Sequence, residues 1–390
     1  MAPLASREDM HPVMRRLYSA EQPWTLRSVA AQDDETVASL LNDVFVHPFV
    51  YPVTLRFLRW LLRSNPAGDG LGWVAETRDR FVAYASLIPY RMRWRDGEIR
   101  AMQMGPLYVT DEFRNQGLFL RLADESLRSV ISPGCPVAFT LGQPPAVTKG
   151  FCKFLGWKLA VDLVEHVFPL DAEGASRVSR AFRAAGVKSL SGRILRLGAT
   201  LESWCLRAFG DPRVRVGPTE RFDGDMEEFL EHATQEYQWA AVRNLPYLEW
   251  RYLLNPRHRY KLFVARRGRR ICGYMVLNVN HEGQGVVVDL FTALNDLGAY
   301  AVLLAAAIRQ FVAAGANSIR IHQHRAYWAN ATVRRVLPFV RSNLVSLIVL
   351  TPETGDVPPT PEQARAWHVC LGDTDDEGGL DQLVRTAPGP

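Results

Sequence analysis

The sequence predicts an α/β fold, a mixed α+β sheet with helices packed on it, laid down as two tandem domains. Two observations carry this. Apolar, strand-like runs separated by short turns are followed by a long helix and a further strand, the order of a mixed sheet with helices on its faces. That order also occurs twice. Phe57-Leu58-x-Trp60 followed by Asn65-Pro66 matches Tyr247-Leu248-x-Trp250 followed by Asn255-Pro256 at an offset of 190 residues. The offset persists without a gap, pairing Val74-Ala75 with Val264-Ala265, Arg80 with Arg270, Tyr84 with Tyr274 and Leu87 with Leu277. Matches at one constant offset indicate two copies of one fold. The expected organisation is a domain over 22–170, a basic helical linker over 171–212, a second domain over 213–350 and a Pro/Asp/Gly-rich tail over 351–390.

The elements follow in order. In the first copy a helix-rich opening ends at the Asn65-Pro66 turn, and strands are expected over 73–76, 81–90 and 99–109. Arg114-Asn-Gln-Gly-Leu-Phe119 then opens a helix to about Val130, followed by a strand over 137–141, a short helix and closing strands that carry Glu165 and His166. In the second copy the strands fall over 260–266, 271–280 and 285–293, with a long helix and a strand over 318–323 after them.

The 390 residues are 47% hydrophobic and 22% charged, as in an ordinary globular protein. A net charge of +5 suits an anionic ligand but is too small to argue for nucleic-acid binding. The cysteines, Cys135, Cys152, Cys205, Cys272 and Cys370, form no C-x-x-C pair, so neither a disulfide framework nor a zinc site is expected. Asp373-Thr-Asp-Asp-Glu-Gly378 resembles a calcium loop only in part: Val384 stands where the bidentate glutamate belongs, and no metal is expected. Arg7, Glu8, Asp9, Arg15 and Arg16 interrupt any signal-peptide core, the apolar stretch around 299–308 is too short to span a bilayer, and a cytoplasmic protein is expected.

The linker carries Arg177, Arg180, Arg183, Lys188, Arg193, Arg196 and Arg207 against Glu173 and Glu202, with Phe182, Ile194, Leu197, Leu201 and Trp204 at helical spacing. Residues 175–209 thus have two readings: peripheral contact with an anionic membrane, or a connecting helix with a solvated basic face. The second is the commoner case.

The most informative stretch is Gly105-Pro-Leu-Tyr-Val-Thr-Asp-Glu-Phe-Arg-Asn-Gln-Gly-Leu-Phe119. A strand ends at Val109, a polar turn follows and a helix begins. A helix start leaves backbone N–H groups without intrahelical partners and carries partial positive charge. Gly117 lets a phosphate approach that backbone, and Arg114 adds a cation, so a pyrophosphate site built mainly from backbone is expected.

Arg114-x-x-Gly117-x-Phe119 resembles motif A of the GNAT superfamily of acyl-CoA-dependent N-acyltransferases, in which Phe119 stands where the family has a small residue. Phe151-Cys-Lys-Phe-Leu-Gly-Trp157 is similar to the family's F-Y-x-K-L-G-F, in the right order and at a suitable spacing. The resemblance implies acetyl-CoA or a longer acyl-CoA as co-substrate and a small-molecule amine as acceptor, with direct attack of the amine on the thioester. The tandem arrangement is similar to that of two-domain members that acylate amino sugar or amino acid units in natural-product and surface-polysaccharide pathways. A non-catalytic ligand-binding or scaffold protein and a membrane-peripheral acyltransferase are the alternative readings.

On this resemblance the pyrophosphate meets the amides of Asn115, Gln116, Gly117 and Leu118, next to Arg114 and Phe119, and the pantetheine lies along Leu107, Tyr108 and Val109. The thioester carbonyl then takes an N–H near Tyr108 or Val109, a donor of the oxyanion-hole kind. The family's usual proton donor to the leaving thiolate is a tyrosine at the position of Cys152. Cys152 has two readings there, a donor or, the commoner case, only a small packed residue; otherwise Tyr108 is the donor, or the thiolate leaves unassisted. For the base, His47 has the suitable ordinary pKa and lies where the family builds its acceptor wall. Glu76, more commonly a surface residue at such a position, Glu165 and His166 are further candidates; Asp289, His322 and His324 of the second copy, if their strands adjoin, have two readings, an acceptor pocket or the commoner buried structural hydrogen bond. At the second copy's equivalent turn, 294–300, the arginine is missing and Asp296 opposes a phosphate, so no CoA is expected there.

Overall fold

The computed structural model describes residues 10–45, 52–78, 80–132, 134–178, 192–351 and 359–374. The first half contributes β1 (Thr25–Ser28), β2 (Leu71–Glu76), β3 (Phe81–Trp94), β4 (Gly97–Val109), β5 (Val137–Leu141) and β6 (Lys158–Pro169). The second contributes β7 (Val214–Thr219), β8 (Trp239–Ala241), β9 (Lys261–Arg267), β10 (Arg270–Val279), β11 (Gln284–Thr292), β12 (Ser318–His324) and β13 (Phe339–Leu350). The strands expected from the sequence are all present, and their ends lie within a few residues of the expected positions.

The helices have local causes. In Leu55–Arg63, Thr54 caps the start by accepting from the Phe57 amide at 3.1 Å, and Phe57, Leu58, Trp60, Leu61 and Leu62 are buried. The equivalent helix Leu245–Leu248 is capped by Asn244 and continues as a wider turn over Glu249–Leu253. Both end in the same Asx turn: Asn65 accepts from the Ala67 amide at 2.8 Å and Asn255 from the Arg257 amide at 2.9 Å.

All the strands share one sheet, ordered β1-β2-β3-β4-β5-β13-β6-β12-β11-β10-β9-β7, with β8 added beside β3. Read inward from either edge, the order visits equivalent elements of the two halves until the centre, where the closing strands have changed places. β13 pairs with β5 over 347–350 and 138–141, and β6 pairs with β12 along its length over 163–169. Each half therefore borrows its last strand from the other.

Trp60 and Trp250, residues related by the 190-residue offset, meet in one contact between the halves. Their rings stack with centroids 5.0 Å apart. Each indole N–H donates to the other's carbonyl, at 2.8 and 2.9 Å. This reciprocity is that of a two-fold contact, here within one chain.

One buried apolar cluster runs through both halves, from Val37 and Trp60 to Phe291 and Leu371. We expect residues 1–212 expressed alone to lack near-UV circular dichroism and to aggregate, because β5 and β6 lose the strand between them and expose two paired edges. Co-expression with 213–390 should restore a soluble complex. A soluble, cooperatively melting 1–212 fragment would contradict this.

Candidate functional site

The site begins where β4 and β5 part. They pair in parallel only over residues 101–103 and 137–139; beyond this β4 runs on to Val109 and β5 to Leu141 without pairing to each other. Just past the last pair, Thr140 Oγ1 donates to the Met104 carbonyl at 3.2 Å and accepts from Gln143 Nε2 at 2.9 Å. A bulge in β4 re-aims the strand here, since Ala85 pairs with Leu107 but Leu87 with Met104. Gly105 lies in the bulge, where a Cβ would come within 2.7 Å of Ser86 Oγ and 2.8 Å of Ile88 Cδ1.

The direction of the β4 amides follows from alternation. The Thr110 amide donates to the Val82 carbonyl of β3 at 2.9 Å. Amides two residues apart point the same way, so that of Tyr108 also faces β3, while those of Leu107 and Val109 face the open splay. The Val109 carbonyl, on the splay side, accepts from Arg114 Nε at 3.3 Å. Of the two amides expected near a thioester, that of Val109 is directed into the gap and that of Tyr108 into the sheet.

The turn after β4 differs from the expected simple helix start. Arg114 is extended, Asn115 and Gly117 both have positive φ (62° and 80°), and the helix begins only at Leu118, running to Arg128. Left-handed residues alternating with right-handed ones, at Asn115 and again at Gly117, curve the chain so that its N–H groups converge, the geometry of an anion-binding nest. No side chain caps this helix start, and the amides of Gly117, Leu118, Phe119 and Leu120 have no acceptor among the described residues. A Cβ on Gly117 would run into the Leu17 side chain. Leu17 lies in the helix Pro12–Ser19, tied down by Arg121 to the Leu17 carbonyl at 3.0 Å and by the Tyr18 hydroxyl to Asp124 at 2.6 Å. This rim of the nest lies outside the expected domain boundary at residue 22, and no sequence signal marks it.

Arg114 lies over the Tyr108 ring, 5.7 Å from its centroid, and pairs with Asp111 at 2.8 Å. Phe119, the departure from the motif, turns away and packs on Phe151 with centroids 5.5 Å apart. Its bulk fills the apolar layer under the helix and leaves the nest clear. Cys152 packs beside the same layer, and burial raises its thiol pKa. Leu107 and Val109 pack toward that helix, whereas Tyr108 joins the apolar cluster on the other face of the sheet. Burial raises the Tyr108 pKa, with Arg114 pulling the other way.

His47 lies outside the described residues. Glu76 is taken up by Arg27 at 2.9 Å at the edge of the sheet. Glu165 is buried in an ion pair with Arg320, and His166 meets Asn330 at 3.2 Å. These three lie in other parts of the fold and do not join the splay.

The second half has a splay of its own, because β11 and β12 pair only over 284–287 and 318–321. Its helix start is closed. Asp296 caps the helix Leu297–Ala313, accepting from the Ala299 amide at 3.0 Å, and is held by Arg267 at 2.8 Å. A carboxylate of the chain thus occupies the position that the first half leaves open.

The gap itself is filled by the tail. The Asp289–histidine convergence expected from adjoining strands does not form across β11 and β12. His368, from the tail, reaches Asp289 instead, its Nε2 3.0 Å from Oδ1, and His324 Nε2 donates to the Trp367 carbonyl at 2.9 Å. His322 lines the residual space of about 20 Å³.

Around Asp289 the network is dense. Its Oδ2 accepts from Tyr252 at 2.9 Å, Tyr274 at 2.7 Å and Arg243 at 3.3 Å. Burial alone would raise the Asp289 pKa, but Arg243 and His368 outweigh it and hold the carboxyl well below its ordinary range. Burial in turn lowers the His368 pKa, with Arg243 acting the same way and Asp289 opposing. Asp289, His368 and Cys370 bring ligand-type atoms within 4.8 Å of one another. With Arg243 and two hydroxyls already on the carboxylate, the donor set is that of a closed ion-pair network rather than of a metal centre. The tail then crosses to the first half, where Gln103 of β4 donates to the Asp373 carbonyl at 3.0 Å.

No protein-family model and no curated protein matches the sequence. Solved structures do match. A probable N-acyltransferase of unknown function from Enterococcus faecalis V583 is 12% identical, with 85% of this chain and 73% of that chain covered at a TM-score of 0.57. A GCN5-related N-acetyltransferase from Anabaena variabilis ATCC 29413 is also 12% identical, covering 83% and 72% at 0.56. The Saccharomyces cerevisiae N-myristoyltransferase, solved with bound myristoyl-CoA, is 13% identical, covering 90% and 87% at 0.56. The fold is thus that of the GCN5-related N-acyltransferases.

Proposed function

We propose that this chain is an acyl-CoA-dependent N-acyltransferase whose acyl-CoA site lies in the first half. The observation that carries the reading is the continuity of the open strand edge with the nest: outward amides of Leu107 and Val109 lead directly to the unpartnered amides of Gly117–Leu120. An acyl-CoA laid along this path would place its pantetheine against β4, its thioester carbonyl near the Val109 amide and its pyrophosphate in the nest beside Arg114. The closed helix start and filled gap of the second half favour one acyl-CoA per chain. The fold neighbour with bound myristoyl-CoA supports an acyl-CoA co-substrate without bearing on the chain length preferred here.

The acceptor amine approaches from the face of the sheet that carries Tyr108, where the tail residues at 372–374 form part of the surroundings. An amino sugar or amino acid unit fits the resemblance. The amine nitrogen attacks the thioester carbon, the C–S bond breaks, the ammonium loses a proton and the departing thiolate gains one. Tyr108 lies on that face, beside Arg114 and next to the Val109 amide, and is the better placed donor. Cys152 packs in the apolar layer on the opposite face.

The test is thiol release from acetyl-CoA and longer acyl-CoAs with a panel of amines. Tyr108→Phe should lower kcat about 100-fold with little change in KM for acyl-CoA, whereas Cys152→Ser stays within a few-fold of wild type. Loss of rate in Cys152→Ser with Tyr108→Phe unaffected would reverse the assignment. Tight acyl-CoA binding without turnover on any amine would favour a ligand-binding role on the same fold.

A further inference from the structure

The helix Gly192–Phe209 between the two halves is amphipathic in the opposite sense to a solvated connector. Its buried face, Ala199, Ser203 and Leu206, rests on the helix Leu297–Ala313. Its apolar stripe points outward: Ile194, Leu197, Leu201 and Trp204 are 59%, 59%, 49% and 62% exposed. Steps of three and four residues place these side chains in one line along the helix. Phe209 extends the apolar surface at the end of the helix, with the Arg335 guanidinium 4.6 Å from its ring centroid.

A continuous apolar stripe left in water calls for a partner. The charges beside it select one. Arg193, Arg196 and Arg207 follow one border of the stripe, Arg196 and Arg207 also donating to backbone carbonyls of the protein body at 3.1–3.4 Å, and Glu202 is the sole acidic residue of the helix. A second copy docked on the same stripe would bring the same arginines together, like charge against like. An anionic surface relieves that charge and accepts the stripe at once. Large apolar side chains including a tryptophan, flanked by arginines, suit the boundary between headgroups and acyl chains. No helix among the described residues is long and apolar enough to cross a membrane, so contact would be from one side.

We propose that this helix docks the protein on a bilayer bearing anionic phospholipid headgroups. The inference is independent of the acyl-CoA site, since none of its residues lines the β4–β5 splay. The experiment is co-sedimentation of the full chain with vesicles of phosphatidylcholine alone or with phosphatidylglycerol, at low and high salt. Binding is expected only to the anionic vesicles and should weaken as salt rises. Leu201→Ser/Trp204→Ser should weaken partition at least roughly tenfold, because both side chains lose their apolar burial in the interface. Melting temperature and solution affinity for acyl-CoA should be unchanged, as both residues are exposed and far from the nest. Absence of wild-type binding to anionic vesicles at low salt overturns the proposal. So does a wild-type dimer in sedimentation velocity that the same double substitution makes monomeric, which would assign the stripe to a second copy.

Discussion

Gly117→Glu is expected to weaken CoA binding at least about 100-fold, read by titration calorimetry, while the protein still melts cooperatively. Three effects act together. The backbone at 117 has φ 80°, where an L-residue costs roughly 1–2 kcal/mol. The new Cβ displaces Leu17 from its seat on the nest. The added carboxylate then stands beside the amides that would hold the pyrophosphate; two unit charges 4 Å apart repel by about 4 kcal/mol at the effective dielectric of a protein surface. A 100-fold loss is about 2.7 kcal/mol and lies within what these effects supply. Gly117→Ala keeps the first two effects without the charge and should lose roughly tenfold, at 1.4 kcal/mol per decade. Equal affinity in wild type and Gly117→Glu would remove the nest from the cofactor site.

Arg243→Met should destabilise the protein by about 3–5 kcal/mol, the usual result of removing one member of a buried ion pair. Arg243 is fully buried and joins two carboxylates, Asp289 at 3.3 Å and Asp373 at 3.1 Å, as well as the Ala241 carbonyl at 2.9 Å. Removing it leaves both carboxylates buried without their cation. Asp373 lies in the tail, so the tail should loosen first and become cleavable by protease within 359–374 before global unfolding. Adding Asp373→Asn to Arg243→Met should recover part of the loss, because one of the stranded charges is gone. A denaturation midpoint within error of wild type, with the tail still protected, would show that the network contributes no net stability. Because Gln103 holds the Asp373 carbonyl beside the β4–β5 splay, the same substitution also tests whether a seated tail is needed for turnover.

Much of the candidate site is legible in the sequence. The alternation in β4, the polar turn and the position of Gly117 are short-range signals, each set by a few adjacent residues. The 190-residue repeat likewise located Trp60 and Trp250, and the structure shows why they match: they are the two halves of one contact. The conformation of the turn was less legible. Arg114 and Asn115 are outside the helix because the backbone is left-handed at Asn115 and again at Gly117, and pattern alone does not separate a nest from a simple helix start. Asp296, whose charge opposes a phosphate, caps the second helix with that same carboxylate.

What the sequence determined by itself was the order of the strands, the order of the helices and the distinction between the Gly117 and Asp296 turns. All three depend on periodicity and turn chemistry acting over a few residues. Only the tertiary structure decided that β6 and β13 exchange places, that the tail fills the second splay, that the Tyr108 amide belongs to the sheet while the Val109 amide faces the gap, and that the linker helix turns its apolar stripe outward. Those outcomes are set by pairing and packing between segments far apart in the chain. Strands buried on both faces have similar apolar patterns, so the pattern of β13 does not state which gap it enters. An amphipathic helix likewise states that it has two faces, and only the surface it meets decides which one is buried.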